Sequence, residues 1–351
     1  MKYFRKFEKE VDFHNSDLIY PTVSFTVDSD KVWVKEQDII IMTSASNPEV
    51  MAICYNQGWA KNQDYMYKSE AEAVTDIGTA FNNGHYCSFT YENFIYSFDE
   101  FRYFTGVTRL QPNAFNNQRK LVSIKLPDSI YDLGEGALCG CEKLNELILP
   151  SGLMGIKNGA LCGIKNIKTL NIPKKATNIY PNIFGNVMGY STSPYILEHI
   201  TVDDDNPSFT DLDCDVIVSK NSNEVEYGCG NSIIPPSVSG ISDYAFYCCG
   251  NLTEIDIPSN IINIGIRAFY GCPSLTSVTI GNSVTSIGNE TFGVCQNLTK
   301  ITCLAETAPS ITNNTFNGIL NNNGVLIVPS GSDYSTWMAK LPSTWTISYL
   351  E

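Results

Sequence analysis

The chain repeats itself every 23 residues, and this constrains its fold more than any other feature. Phe115, Leu138, Leu161 and Phe184 lie 23 residues apart; Phe246, Phe269 and Phe292 resume that spacing, and Phe316 follows after 24. Between Phe184 and Phe246 there is room for one repeat and 39 further residues. A fixed period between about 20 and 50 residues marks a solenoid, because a unit that small cannot bury its own apolar face and stacks on its neighbours to do so.

Each unit reads roughly A-F-x-G-C-x-x-L-x-x-I-x-I-P-x-S-V-x-x-I-G-x-x, most clearly in AFYGCPSLTSVTIGNSVTSIGNE and AFYCCGNLTEIDIPSNIINIGIR. The apolar residues of I-x-I are two apart, the period of a strand with one buried face. Pro127, Pro150, Pro173, Pro235 and Pro258 then end that strand, since proline cannot donate to a ladder. V-x-x-I, as in Val284 and Ile287, forms a second short stretch on the opposite wall, and a small Ala before the large Phe (Ala114, Ala245, Ala268) suits a tight inward corner.

These residues resemble the BspA-like leucine-rich repeat family, found in surface proteins of anaerobic gut and oral bacteria and of some protist parasites. The resemblance covers residues 104–303. It implies a mainly β leucine-rich-repeat solenoid of about eight rungs, and an adhesin that binds host or matrix proteins. The segment VDDDNPSFTDLDCDVIVSKNSNEVEYGCGNSIIP resembles an insertion that such proteins carry. Over about 203–233 it is expected to project as a hairpin, with Asp215–Val218 going out, Glu224–Tyr227 returning and Lys220–Asn223 turning.

The flanks divide further. Residues 1–45 alternate apolar and polar over 22–27 and 31–35 about a turn at Asp28–Asp30, which predicts a hairpin and a docking module. This opening resembles N-terminal segments of phage structural proteins of gut bacteria. The start, MKYFRKFEKEVDFHNSD, has basic residues but no apolar segment behind them, so it does not read as a secretory signal. Either it follows a removed leader or it never had one, and Met1 favours the second. Residues 46–103 form an N-terminal cap. Within it, residues 51–81 resemble an EF-hand or dockerin-like loop and helix that precedes BspA-type repeats. On that pattern Trp59, Lys61 and Gln63 stand where oxygen ligands belong, Asp64 stands where Gly turns the chain, and only Glu70 survives. Calcium binding is therefore not expected, while a helix from Ser69 to Ile77 is. Residues 304–351 read as strand, short helix and strand, a C-terminal cap with Trp337 and Trp345 over the open end of the column.

Charge and cysteines narrow the function. With 37 acidic against 23 basic residues and a net charge of −14, the chain lacks the basic footprint that nucleic acid or anionic lipid demands. No run approaches the roughly 20 apolar residues of a membrane span. Twelve cysteines and three scattered histidines contain no CxxC pair, so zinc is not expected. Cys141, Cys249, Cys272 and Cys295 each follow the repeat's Phe or Leu by three residues and should form an inward row of free thiols. Cys139, Cys162 and Cys248 fall outside that register and are expected to be partly exposed.

No catalytic constellation stands out. Asp203–Asp205 is a loop run, Glu254 and Asp256 lie on a solvent face, and GxSxG, Walker, GxGxxG and HExxH patterns are missing. The expected activity is non-catalytic binding, without cofactor or metal. Its surface would be the outward positions of the repeat strand: Ser123, Glu146, Thr169, His199, Glu254, Ser277 and Lys300 in one column, and Lys125, Ile148, Asn171, Thr201, Asp256, Thr279 and Thr302 in the other. The hairpin is a rival site, since loops carry binding more often than scaffolds do. The expected partner is a protein or glycan on a cell surface. The sequence reading places the chain on a virion of a phage infecting gut bacteria, attached to other virion proteins through residues 1–45; the alternative is a bacterial cell-surface adhesin.

Overall fold

The computed structural model describes residues 4–8, 31–35, 40–77, 95–185, 194–320 and 323–350. The repeats coil into a mainly β solenoid of about eleven turns, more than the eight expected, because strands on both flanks continue the coil. Most turns contribute a repeat strand to one wall and a short return strand to the other.

The return wall runs as parallel pairs from Arg109–Leu110 through Asp132–Leu133 and Gly155–Ile156 to Asn178–Ile179. The repeat wall begins with Ser97–Phe98 beside Ser123–Ile124 and later pairs Thr169–Ile172 with His199–Val202. Beyond the insertion it is a continuous sheet: Glu254–Ile257, Ser277–Ile280, Lys300–Cys303, Val325–Val328 and Thr346–Tyr349. The repeat strands alternate exposed and buried residues, as in Glu254–Ile257, so I-x-I points its isoleucines into the column.

The aromatic corner residues form the spine. Phe246 stacks on Phe269 at 4.9 Å, Phe269 on Phe292 at 5.5 Å and Phe292 on Phe316 at 6.1 Å, with ring planes within 15° of parallel. Identical residues one rung apart reach this offset geometry because the coil repeats its backbone. Phe98, Phe101 and Phe104, all fully buried, close the column at the start against Phe115. Trp337 closes it at the far end, packing on Phe316 and donating its indole N–H to the Pro309 carbonyl at 2.9 Å.

The insertion corrects the expectation of a projecting hairpin. Val216–Ser219 and Glu224–Gly228 do pair antiparallel, but all four residues of the first strand are buried. The second pairs in parallel with Gly240–Ile241 and so becomes a rung of the return wall, which continues through Asn263–Ile264 and Ser286–Ile287. The unbroken apolar run Val216–Val218 is the physical reason, since a strand apolar on both faces needs cover on both.

The N-terminal cap holds a strand at Ile40–Thr43 paired with Tyr65–Tyr67, a helix at Pro48–Asn56 that the sequence reading did not foresee, and a five-residue helix at Lys68–Glu72. That second helix stops short of the expected Ile77, where Gly106 comes so close that a Cβ on it would lie 2.5 Å from the Glu72 and Val74 carbonyls. Of the expected N-terminal hairpin, residues 22–27 lie outside the described residues. Lys31–Lys35 is a strand, and its partner is Phe4–Glu8, antiparallel.

Candidate functional site

The structure brings the outward columns together by register. Thr169 and Asn171 pair with His199 and Thr201; Glu254 and Asp256 pair with Ser277 and Thr279, which pair in turn with Lys300 and Thr302. Every residue of both columns is exposed or half-buried. Asn171 donates its side-chain amide to the Thr201 hydroxyl at 2.9 Å, so part of the face is already satisfied internally. The sheet extends further than the sequence reading carried it: Val325 and Ile327, then Thr346 and Ser348, add two rows in the same register. Steps of 25 and 21 residues, in place of 23, take them out of the repeat's spacing.

Two breaks divide the face. The first follows His199–Val202, whose outer edge meets no strand among the described residues. Asp215 and Asp211 fill that place, accepting the Ile200 amide at 3.2 Å and the Val202 amide at 2.8 Å. His199 Nδ1 also lies 3.1 Å from Asp215. His199 and Thr201 are thus separated from Glu254 and Asp256, and the columns are two patches rather than one.

The second break lies at Glu146–Leu149. These residues keep the alternation of a repeat strand, yet they pair with neither Ser123–Ile124 nor Thr169–Ile172; the adjoining Asn145 amide reaches the Val122 carbonyl at a long 3.3 Å. A groove of about 460 Å³ opens here, lined by Ser123, Lys125, Glu146 and Ile148 from the columns and by Asp99, Arg102 and Asp128. Ile148 is 71% exposed in it and supplies the groove's apolar centre. Lys125 and Asp99 stand 3.9 Å apart across its rim. Sequence reasoning missed Asp99, Arg102 and Asp128, which lie outside the repeat-strand register.

A model of the BspA type leucine rich repeat region matches in six copies, over residues 85–202 and 226–331. The chain belongs to this family. The interruption in the match falls on the insertion, and the second stretch starts inside the Glu224–Gly228 strand that rejoins the coil. Among solved structures, a leucine-rich repeat protein from Eubacterium ventriosum is 21% identical with a TM-score of 0.48, covering 70% of each chain. The pneumococcal vaccine antigen PcpA is 18% identical with a TM-score of 0.42, covering 70% of this chain and 78% of its own. A leucine rich cell surface protein from Faecalibacterium prausnitzii is 18% identical with a TM-score of 0.39, covering 75% and 88%. No curated protein matches the chain.

In this BspA-type coil the inward row of thiols is packing. Cys141, Cys249, Cys272 and Cys295 are fully buried, and burial pushes Cys249 up to about 12 and Cys272 well above the usual thiol range. Cys139, Cys162 and Cys248 correct the expectation of partial exposure, retaining only 2%, 3% and 2%. Stacked coils cover them: Cys162 has Cys139 and Cys248 as neighbours, and Gly271 passes close over the Cys248 sulfur. Among the described residues no group of three or more His, Cys, Asp or Glu could hold a metal ion, and no helix is long and apolar enough to cross a membrane. Glu70, the remnant of the calcium-like loop, holds the loop itself: its carboxylate accepts the Lys61 amide at 3.1 Å and the Tyr67 amide at 2.9 Å.

Proposed function

We propose that this BspA-type protein is a non-catalytic adhesion protein of the bacterial cell surface or its surroundings, and that it contacts its partner through the repeat-strand face centred on the groove at Ile148. The observation that carries this reading is a large exposed aliphatic side chain, flanked by Lys125 and Glu146, at the break where the repeat-wall ladder opens into a groove. A central apolar anchor with charges of both signs around it is the anatomy of a protein-binding hot spot, which favours a protein partner over a glycan. Ser123, Lys125 and Glu146 would make direct contacts. Asn171, His199 and Thr201 would extend the surface, while Glu254, Asp256, Ser277, Thr279 and Lys300 form a second patch beyond the insertion.

Family membership supports the surface setting. Attachment to a virion through residues 1–45 has no observation behind it among the described residues, so the adhesin reading takes precedence. The hairpin is the weaker rival because its strands are walled in and its turn alone, Lys220–Asn223, is exposed.

The test is binding of the purified chain to immobilised matrix and cell-surface glycoproteins. Ile148→Asp and the charge exchange Lys125→Glu with Glu146→Lys should each weaken capture about tenfold or more. Substitutions at Lys220 and Asn221 should leave it unchanged. Binding that ignores both strand-face variants but is lost with the turn variant would overturn the assignment.

A further inference from the structure

The cysteines divide by where their thiols go. Cys141, Cys272 and Cys295 each donate to the carbonyl of the corner phenylalanine one rung back, Phe115, Phe246 and Phe269, at 3.2, 3.1 and 3.0 Å. Cys139 and Cys162 do something else. They occupy the same position in consecutive repeats, directly after Leu138 and Leu161, so the coil sets them one rung apart, near enough for each thiol to shift the other's ionisation.

The backbone holds the two in register. The Leu138 amide donates to the Ala160 carbonyl at 2.9 Å, and the Gly140 amide to the Cys162 carbonyl at 2.7 Å. Coils stacked about 4.8 Å apart place equivalent Cα atoms inside the 4.4–6.8 Å window of a disulfide. Within a pleated strand, parallel Cβ vectors would oppose the right-angled torsion a disulfide adopts. Here each cysteine precedes a left-handed glycine, Gly140 at φ +76° and Gly163 at φ +68°, so the corner is a turn and that constraint is relaxed.

The position matters as much as the fit. The coils that carry Cys139 and Cys162 lead into Glu146–Leu149 and Thr169–Ile172, the neighbouring segments between which the repeat-wall ladder is missing. A covalent link at the corner would join two turns that the repeat wall leaves unjoined.

We propose that Cys139 and Cys162 form an oxidative cross-linking site, converted by exchange with a low-molecular-weight disulfide into a disulfide between consecutive coils. The Cys139 thiolate attacks one sulfur of the small disulfide and expels one thiolate, leaving a mixed disulfide. Cys162 loses its proton to solvent and attacks the Cys139 sulfur, expelling the second thiolate. Two protein thiols are oxidised, one small disulfide is reduced to two thiols, and the protons balance. Beside each other the two thiols titrate apart, Cys139 below the usual range and Cys162 well above it, which makes Cys139 the attacking group. Both residues keep slight exposure, whereas the inward row has none.

The experiment treats the full chain with oxidised glutathione under native conditions, quenches with acid, and maps cysteines by mass spectrometry without reduction. The expected result is that two thiols disappear first and together, with a single new linkage between the peptides of Cys139 and Cys162. Cys162→Ser should stop the reaction at a glutathione adduct on Cys139, and Cys139→Ser should leave Cys162 unmodified. A first linkage between Cys162 and Cys248, loss of all thiols at one rate, or no reaction before the chain unfolds would each overturn the proposal. The wild-type map decides the matter even if a variant does not fold.

Discussion

The carboxylate of Asp211 accepts the Val202 amide at 2.8 Å, the role a neighbouring strand's carbonyl would otherwise fill. His199–Val202 ends a parallel sheet, and an exposed edge invites pairing with another chain. Asp211 and Asp215 blunt that edge with acceptors that cannot propagate a ladder. Asp211→Ala leaves the Val202 amide without its acceptor and should cost about 1–3 kcal/mol of stability. Asp211→Asn keeps an acceptor oxygen and should lose less. Urea denaturation of the three proteins checks the order.

Phe292 is stacked between Phe269 and Phe316 and is fully buried. Phe292→Ala removes a ring from the middle of the spine and should cost about 3–5 kcal/mol, by the lost transfer energy and the cavity left behind. Phe292→Leu should cost clearly less, since Leu138 and Leu161 fill the same position in their own rungs. Thermal melting followed by circular dichroism distinguishes the two.

The repeat was legible in the sequence because its physics is local. Phe spacing located the spine, I-x-I the repeat wall and V-x-x-I the return wall, since each is a demand for burial at a fixed interval. What was not legible arises where the coil departs from that interval. Val216–Val218 reads as well for a free hairpin as for a wall strand until its cover is known. The groove at Ile148 is invisible in sequence, because Glu146–Leu149 has the same alternation as its neighbours and differs only in lacking their hydrogen bonds. Its lining by Asp99 and Arg102 depends on how the cap meets the first coil.

Glu226 supplies a pH test. Burial raises its carboxyl above the ordinary glutamate range, with the nearby Glu224 adding to the effect. A carboxyl whose folded pKa is raised favours the folded state fully only below its unfolded pKa, and that contribution is lost as pH rises through the folded value. At neutral pH the ionised Glu226 is therefore a burden on the hairpin. Glu226→Gln should raise the melting temperature at neutral pH, by the equivalent of about 1 kcal/mol or less. The gain should shrink as pH falls through the raised range of Glu226 and be gone below the ordinary glutamate range. A gain that is constant across pH would place its origin elsewhere.

Gly228 ends the returning strand of the insertion where it passes the spine. A Cβ there would lie 2.0 Å from the Phe246 ring, far inside contact distance, so one of the two must move. Its carbonyl accepts the buried Tyr195 hydroxyl at 3.0 Å, which ties the strand to the coil and limits how far it can retreat. Gly228→Ala should therefore destabilise by about 1–3 kcal/mol through overpacking. The cause is separable from any loss of glycine's backbone freedom, because Gly228 is not among the positive-φ glycines. Trimming the ring with Phe246→Leu costs stability alone, but it opens the space that the alanine methyl needs. In the double variant the two penalties should sum to less than their parts, a coupling of about 0.5 kcal/mol or more in a double-mutant cycle. Additive penalties would mean that the alanine acts on the strand itself and not through Phe246.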